Sequence, residues 1–168
     1  FFKGLAAGLA VFSLFLYAFI YTPLKKVNSI AVLMGAVPGA LPCLIGWAAG
    51  DDKLSTGGWV LFALQFLWQF PHFWSIGWFL YEDYEKAGFF MLPTGKKDKS
   101  TAVQTIMYTG WLIVASLLPC LGYTGQLFIS PIAAIIVFLL GLWMLYFAIK
   151  MYKERTAKAA KALMLASV

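Results

Sequence analysis

GGWVLFALQFLWQFPHFWSIGWFLYEDYEKAGFFMLP, residues 57–93, is the stretch from which the rest of the chain can be read. Between Gly57 and Leu80 it carries no acidic or basic residue, enough length to cross a hydrocarbon core of roughly 30 Å. Gln65, Gln69 and His72 stand at i, i+4 and i+7 and so share one helical face. Asp83 follows His72 by eleven residues, about three turns down the same face. Amides and imidazoles are costly in lipid. Such a stripe therefore lines a cavity in the bundle or bonds one helix to the next, and both uses are open for Gln65, Gln69 and His72. Pro71 withdraws a backbone donor at the same level and is expected to kink the helix there.

The composition agrees with this segment. Of 168 residues, 62% are hydrophobic and 12% charged, about half the charge of a soluble domain. The formal charge of +6 does not point to nucleic acid, because the basic residues sit in short loops beside apolar spans and form no stripe interleaved with aromatics. Cys43 and Cys120 lie in apolar segments without a Cys or His at ligand spacing, so they read as small buried hydrophobes.

Five full spans are expected, in an all-α integral membrane bundle. The first covers about Gly4 to Tyr21 and ends at Thr22-Pro23 before Lys25-Lys26; the second, about Ile30 to Gly50, holds Gly35, Pro38, Gly39, Pro42 and Gly46 and is expected to be an interrupted helix. Such interruptions line binding cavities or let helices pack closely. The third span is the opening stretch. A long polar connection from Tyr81 to Ser100 follows, then spans at about Ala102 to Gly122 and Phe128 to Met151, and an apolar segment beginning at Ala162 that is too short to cross. No linker divides residues 1–168, which read as one partial transmembrane domain beginning without Met. Loops 23–29, 81–101 and 150–161 hold two, four and five Lys or Arg, against one and none in loops 51–56 and 123–127. The basic set is thus expected to face the cytoplasm, or the matrix of an organelle, with Lys3 against the trend.

Lys25, Lys26, Glu82, Asp83, Glu85 and Lys86 gather on that inner side. Carboxylates at a helix end can hold a hard divalent cation and, through it, phosphate oxygens, with lysines neutralising the remainder; the same charges can also be simply solvated. The broken second span and polar third span leave a transporter or channel as an alternative.

Four sets of residues carry a resemblance that covers essentially the whole chain: Tyr21-Thr22-Pro23-Leu24-Lys25-Lys26; Gly35-Ala36-Val37-Pro38 with Leu44-Ile45-Gly46-Trp47; Leu67-Trp68-Gln69-Phe70-Pro71-His72-Phe73; and Glu82-Asp83-Tyr84-Glu85-Lys86-Ala87-Gly88 with Met91-Leu92-Pro93. In this order they resemble the UbiA-type intramembrane prenyltransferases, in particular their protohaem IX farnesyltransferase branch. The resemblance implies a nine-span bundle, with this chain running from about the fourth span into the ninth. It also implies transfer of a farnesyl group from farnesyl diphosphate to a vinyl group of haem B, giving haem O.

Its site assignments follow residue by residue. Asp83 and Lys25 are implied as catalytic, Asp83 and Glu82 as ligands of Mg2+, and Tyr21, Lys26, Gln69, His72, Glu82 and Lys86 as substrate-binding, with His72 on the haem side. A first acidic motif of the family has no counterpart here, so the isolated chain is expected to be inactive. Phe66, Phe70, Phe73, Trp74 and Trp78 either pack around the substrates or fill the core. The implied setting is a bacterial cytoplasmic or mitochondrial inner membrane, with association to haem A synthase or a terminal-oxidase assembly.

Overall fold

The computed structural model describes residues 4–25 and 27–168; Lys3 and Lys26 lie outside them. All regular structure among these residues is helical. The long helices are α1 (Gly4–Leu24), α2 (Ala31–Asp51), α3 (Thr56–Phe79), α5 (Lys99–Leu117) and α6 (Pro131–Glu154). A short α4 (Tyr81–Lys86) follows α3, and α7 (Ala157–Ala166) closes the chain.

Four of these helices, α1, α2, α5 extended to Cys120, and α6, are long and apolar enough to cross a membrane. The fifth expected span, α3, has 24 residues and is not among the four. Its polar positions dilute its hydropathy, and its place explains how they are tolerated. It packs against α2, α5 and α7, and its Phe70, Trp74 and Trp78 are buried in the common core. Around them the core mixes the small residues Ala36, Ala102, Ala148, Ala159 and Ala160, which let backbones approach where lipid offers no hydrophobic drive, with larger ones such as Leu92, Met144 and Met151. The outer faces of α1 and α6 are the reverse. Phe12, Phe15 and Phe19, and Ile132, Ile135, Ile136, Leu139 and Trp143, stand exposed.

Several boundaries differ from the sequence expectation, each for a local reason. The first helix does not stop at Thr22-Pro23 but runs to Leu24. The segment Leu16–Tyr21 is π-helical, so the wider ring falls just before the proline that cannot donate, and Thr22 Oγ1 donates to Tyr17 O at 2.9 Å. The second helix is not interrupted: α2 is continuous through Pro38 and Pro42. Pro42 leaves the carbonyl of Pro38 without its usual donor, and Ser13 Oγ from α1 donates to it at 3.3 Å. Likewise α3 is one unbroken helix through Pro71.

The Tyr81 to Ser100 connection contains the helix α4, and α5 begins already at Lys99 because Asp98 accepts from Thr101 N at 2.8 Å. Ser130 and Thr156 cap α6 and α7 in the same way. Arg155, in the left-handed region at φ 50°, turns the chain between them, so that the last helix starts at Ala157.

Candidate functional site

The polar face of α3 is divided by the tertiary structure. Gln69 lines a cavity of about 650 Å³ between α1, α2 and α3, whereas Gln65 and His72 line a second of about 620 Å³ with Cys43, Trp68 and Ser167. Residues only one turn apart thus serve two different spaces.

The first cavity runs along α1 from Ala10 past Ser13 and Tyr17 to Tyr21, and along α2 from Ile45 to Val32. Eleven α1 positions separate Ala10 from Tyr21, about 16 Å at 1.5 Å per residue. Gly35 lets the Tyr21 ring lie on the α2 backbone, since a Cβ there would sit 2.6 Å from that ring. Met91 closes the wall at the Tyr21 end. Its loop is held by Phe90 N donating to Lys25 O at 3.4 Å and Ser29 Oγ donating to Pro93 O at 2.8 Å. The Lys25 ammonium stands above this end, 6.0 Å from the Tyr21 ring centre and 5.2 Å from that of Phe89. A cation therefore sits at the mouth of a long, largely apolar space.

Deeper in, Gln69 is fixed. It is 5% exposed, and its Nε2 donates to Ala36 O at 3.1 Å and to Gln65 O at 3.2 Å. Two carbonyl partners determine which end of the amide is nitrogen. The oxygen lies against Gly39, where a side chain would occupy its position.

The acidic face is less concentrated than the sequence suggests. Glu82 pairs with Lys97, which holds its carboxyl below the usual range, first through that hydrogen bond. Glu85 accepts from Tyr81 OH at 3.2 Å, and Tyr81 also donates to Gly95 O at 3.1 Å. Burial, then the Glu85 carboxylate, raises the Tyr81 phenol. Asp83 and Lys86 are exposed on α4. As a magnesium site these donors do not fit by themselves: Glu82 is spent on Lys97, and no group of three or more His, Cys, Asp or Glu among the described residues is arranged to hold a metal ion.

His72 has partners that the sequence did not reveal. Its ring stacks on Trp68 at 4.6 Å, and its Nδ1 lies 2.8 Å from Ser167 Oγ. That hydroxyl spends its only proton on Met164 O, so His72 Nδ1 is the donor. Trp68 Nε1 donates to Ser167 O at 2.7 Å. Of the five aromatics weighed for substrate contact, Phe73 lines the first cavity, while Phe70, Trp74 and Trp78 belong to the core. Both cysteines are free and only partly buried, Cys43 on the wall of the second cavity. Also missed was the buried ladder Thr101, Thr105 and Thr109, in which Thr105 and Thr109 each donate to the carbonyl four residues back.

The model of the UbiA prenyltransferase family matches residues 1–168. The chain belongs to that family. Its relatives include three proteins named protoheme IX farnesyltransferase. That of Flavobacterium johnsoniae is 63% identical over 97% of this chain and 54% of its own length. The protein of Flavobacterium psychrophilum is 60% identical over 93% and 52%, and that of Solibacter usitatus 45% identical over 98% and 55%. The chain thus spans about half the length of the curated relatives it matches. No solved structure matches it. As in the rest of the family, the helices form an intramembrane bundle, and nothing in the comparisons favours a transporter.

Proposed function

We propose that this chain forms part of an enzyme that transfers a farnesyl group from farnesyl diphosphate to a vinyl group of haem B, giving haem O. The observation that carries the proposal is the elongated, mainly apolar cavity with Lys25 at its mouth. Its volume lies within the ordinary range for small-molecule sites. Its length is that of an extended chain of three isoprene units. The names of the relatives give the chemistry a direction.

In this reading Lys25, together with Lys26 and Lys86, neutralises the diphosphate as it departs, and Asp83 is the acidic group assigned to the same task. Tyr21 and Phe73 close around the allylic chain and keep bulk water from the cation that ionisation creates. Diphosphate would bring magnesium with it as counter-ion, and Asp83 is the carboxylate we assign to meet it. His72 lies off this cavity and is tied to Trp68 and Ser167, so we assign it the positioning of α7 against α3. We place the basic loops on the cytoplasmic or matrix face of a bacterial cytoplasmic or mitochondrial inner membrane. Haem A synthase or a terminal-oxidase assembly is the partner proposed to receive the product.

The test uses membranes containing the full-length protein, supplied with haem B, farnesyl diphosphate and magnesium, with the pigment extracted and weighed by mass spectrometry. The expected product is haem carrying a hydroxyethylfarnesyl group. Unchanged haem alongside prenylation of another aromatic acceptor would retain the family and overturn the haem assignment.

A further inference from the structure

The product proposed above contains a hydroxyl that neither haem B nor farnesyl diphosphate supplies. Joining the farnesyl C1 to the terminal vinyl carbon uses the vinyl π pair, while the C1–O bond breaks and its electrons leave with diphosphate. The carbon next to the porphyrin ring is left positive. A water oxygen then donates a lone pair to that carbon, and its proton passes to the released diphosphate. The same cation has a competing exit, because loss of a neighbouring proton gives a diene. Addition wins only if one water is held against the cation inside a space built to keep other water out.

The structure assigns that water to Gln69 Oε1. The Gln69 side chain is 95% buried and lines the first cavity, and its nitrogen is committed to Ala36 O and Gln65 O. The oxygen has no hydrogen-bond partner among the described residues. An isoprenoid chain has no donor to offer it, so an acceptor here is a cost unless a water or a hydroxyl meets it. Gly39 makes the arrangement possible by leaving room for the amide.

The position along the cavity also agrees. Lys25 Nζ is 6.0 Å from the Tyr21 ring, which packs on Gly35, and Gly39 lies one turn beyond, about 6 Å by helical rise. Gln69, against Gly39, therefore stands inside the cavity, deeper than the end that Lys25 marks. Gln69 is then a catalytic residue that orients the nucleophilic water without taking its proton.

This inference rests on the proposed haem prenylation, and product mass separates the two. The full-length protein in membranes is given haem B and farnesyl diphosphate in ¹⁸O-water. The wild type is expected to yield one product carrying the label. Gln69→Leu is expected to shift most of the product to a farnesylated haem lighter by one water and unlabelled, whereas Gln69→Glu, which keeps an acceptor at the same reach, retains the labelled hydroxyl. A Gln69→Leu product that is fully hydroxylated overturns the assignment, as does loss of all product from both variants, which would mark Gln69 as helix packing. Absence of haem prenylation by the wild type refutes the underlying reaction instead.

Discussion

Gly39→Ala is the sharpest structural test of the first cavity. A Cβ at residue 39 would overlap the Gln69 amide, and the neighbour that must move is a buried group with two hydrogen bonds. Swinging the amide away forfeits both bonds, about 1 kcal/mol each net, and leaves a buried donor unmet at about 1–3 kcal/mol. Against this, replacing glycine by alanine inside a helix is favourable by about 1 kcal/mol. The balance is a destabilisation of about 2–4 kcal/mol. Gly46 is the matched control, seven residues along α2, where a Cβ meets nothing within 4 Å. Gly46→Ala should therefore stabilise by up to about 1 kcal/mol. The assay is thermal unfolding of the detergent-solubilised full-length protein, where a kcal/mol is worth a few degrees. The two variants should move the midpoint in opposite directions. Adding Gln69→Ala to Gly39→Ala should recover most of the loss, a coupling that a double-mutant cycle measures. If Gly39→Ala were as stable as the wild type, or the cycle showed no coupling, the placement of Gln69 against Gly39 would be refuted.

Asp98→Ala should cost about 1 kcal/mol through loss of the α5 cap. Burial acts to raise the Asp98 carboxyl, but the hydrogen bonds from Thr101 and Thr94 outweigh it and its pKa is lowered. The cap contribution is therefore full above the unfolded value of about 3.9 and is lost as pH falls through the lower folded one; Asp98→Asn should keep most of the cap while removing that pH dependence, read as melting temperature against pH. Asp83→Asn is expected to abolish prenyl transfer with normal membrane insertion, and full activity would end its assigned role. His72→Ala and Ser167→Ala should each cost about 1 kcal/mol and depress use of haem and of farnesyl diphosphate equally. A selective rise in the KM for haem after His72→Ala would return that histidine to the haem side.

The sequence by itself determined the features that depend on neighbours along the chain. Helix positions came within a few residues, because an apolar run long enough to cross lipid leaves its backbone no partner but itself. The same count groups the basic loops at one end of the helices, and two contacts join those segments: Phe90 N donates to Lys25 O, and the Lys99 ammonium stands 5.7 Å from the Tyr152 ring. Where helices started was harder, since Asp98, Ser130 and Thr156 act through a single hydrogen bond that periodicity does not register.

Only the tertiary structure decided what the polar face of α3 does. Gln69 and His72 are equivalent by spacing, yet one bonds to Ala36 across 33 positions and the other to Ser167 across 95. It likewise decided that α2 stays whole, because the donor for the Pro38 carbonyl comes from Ser13 on another helix. Helical spacing specifies direction around one axis. Which cavity, carbonyl or hydroxyl lies in that direction depends on the helices packed beside it, and in a bundle of small residues that packing is a property of the whole fold.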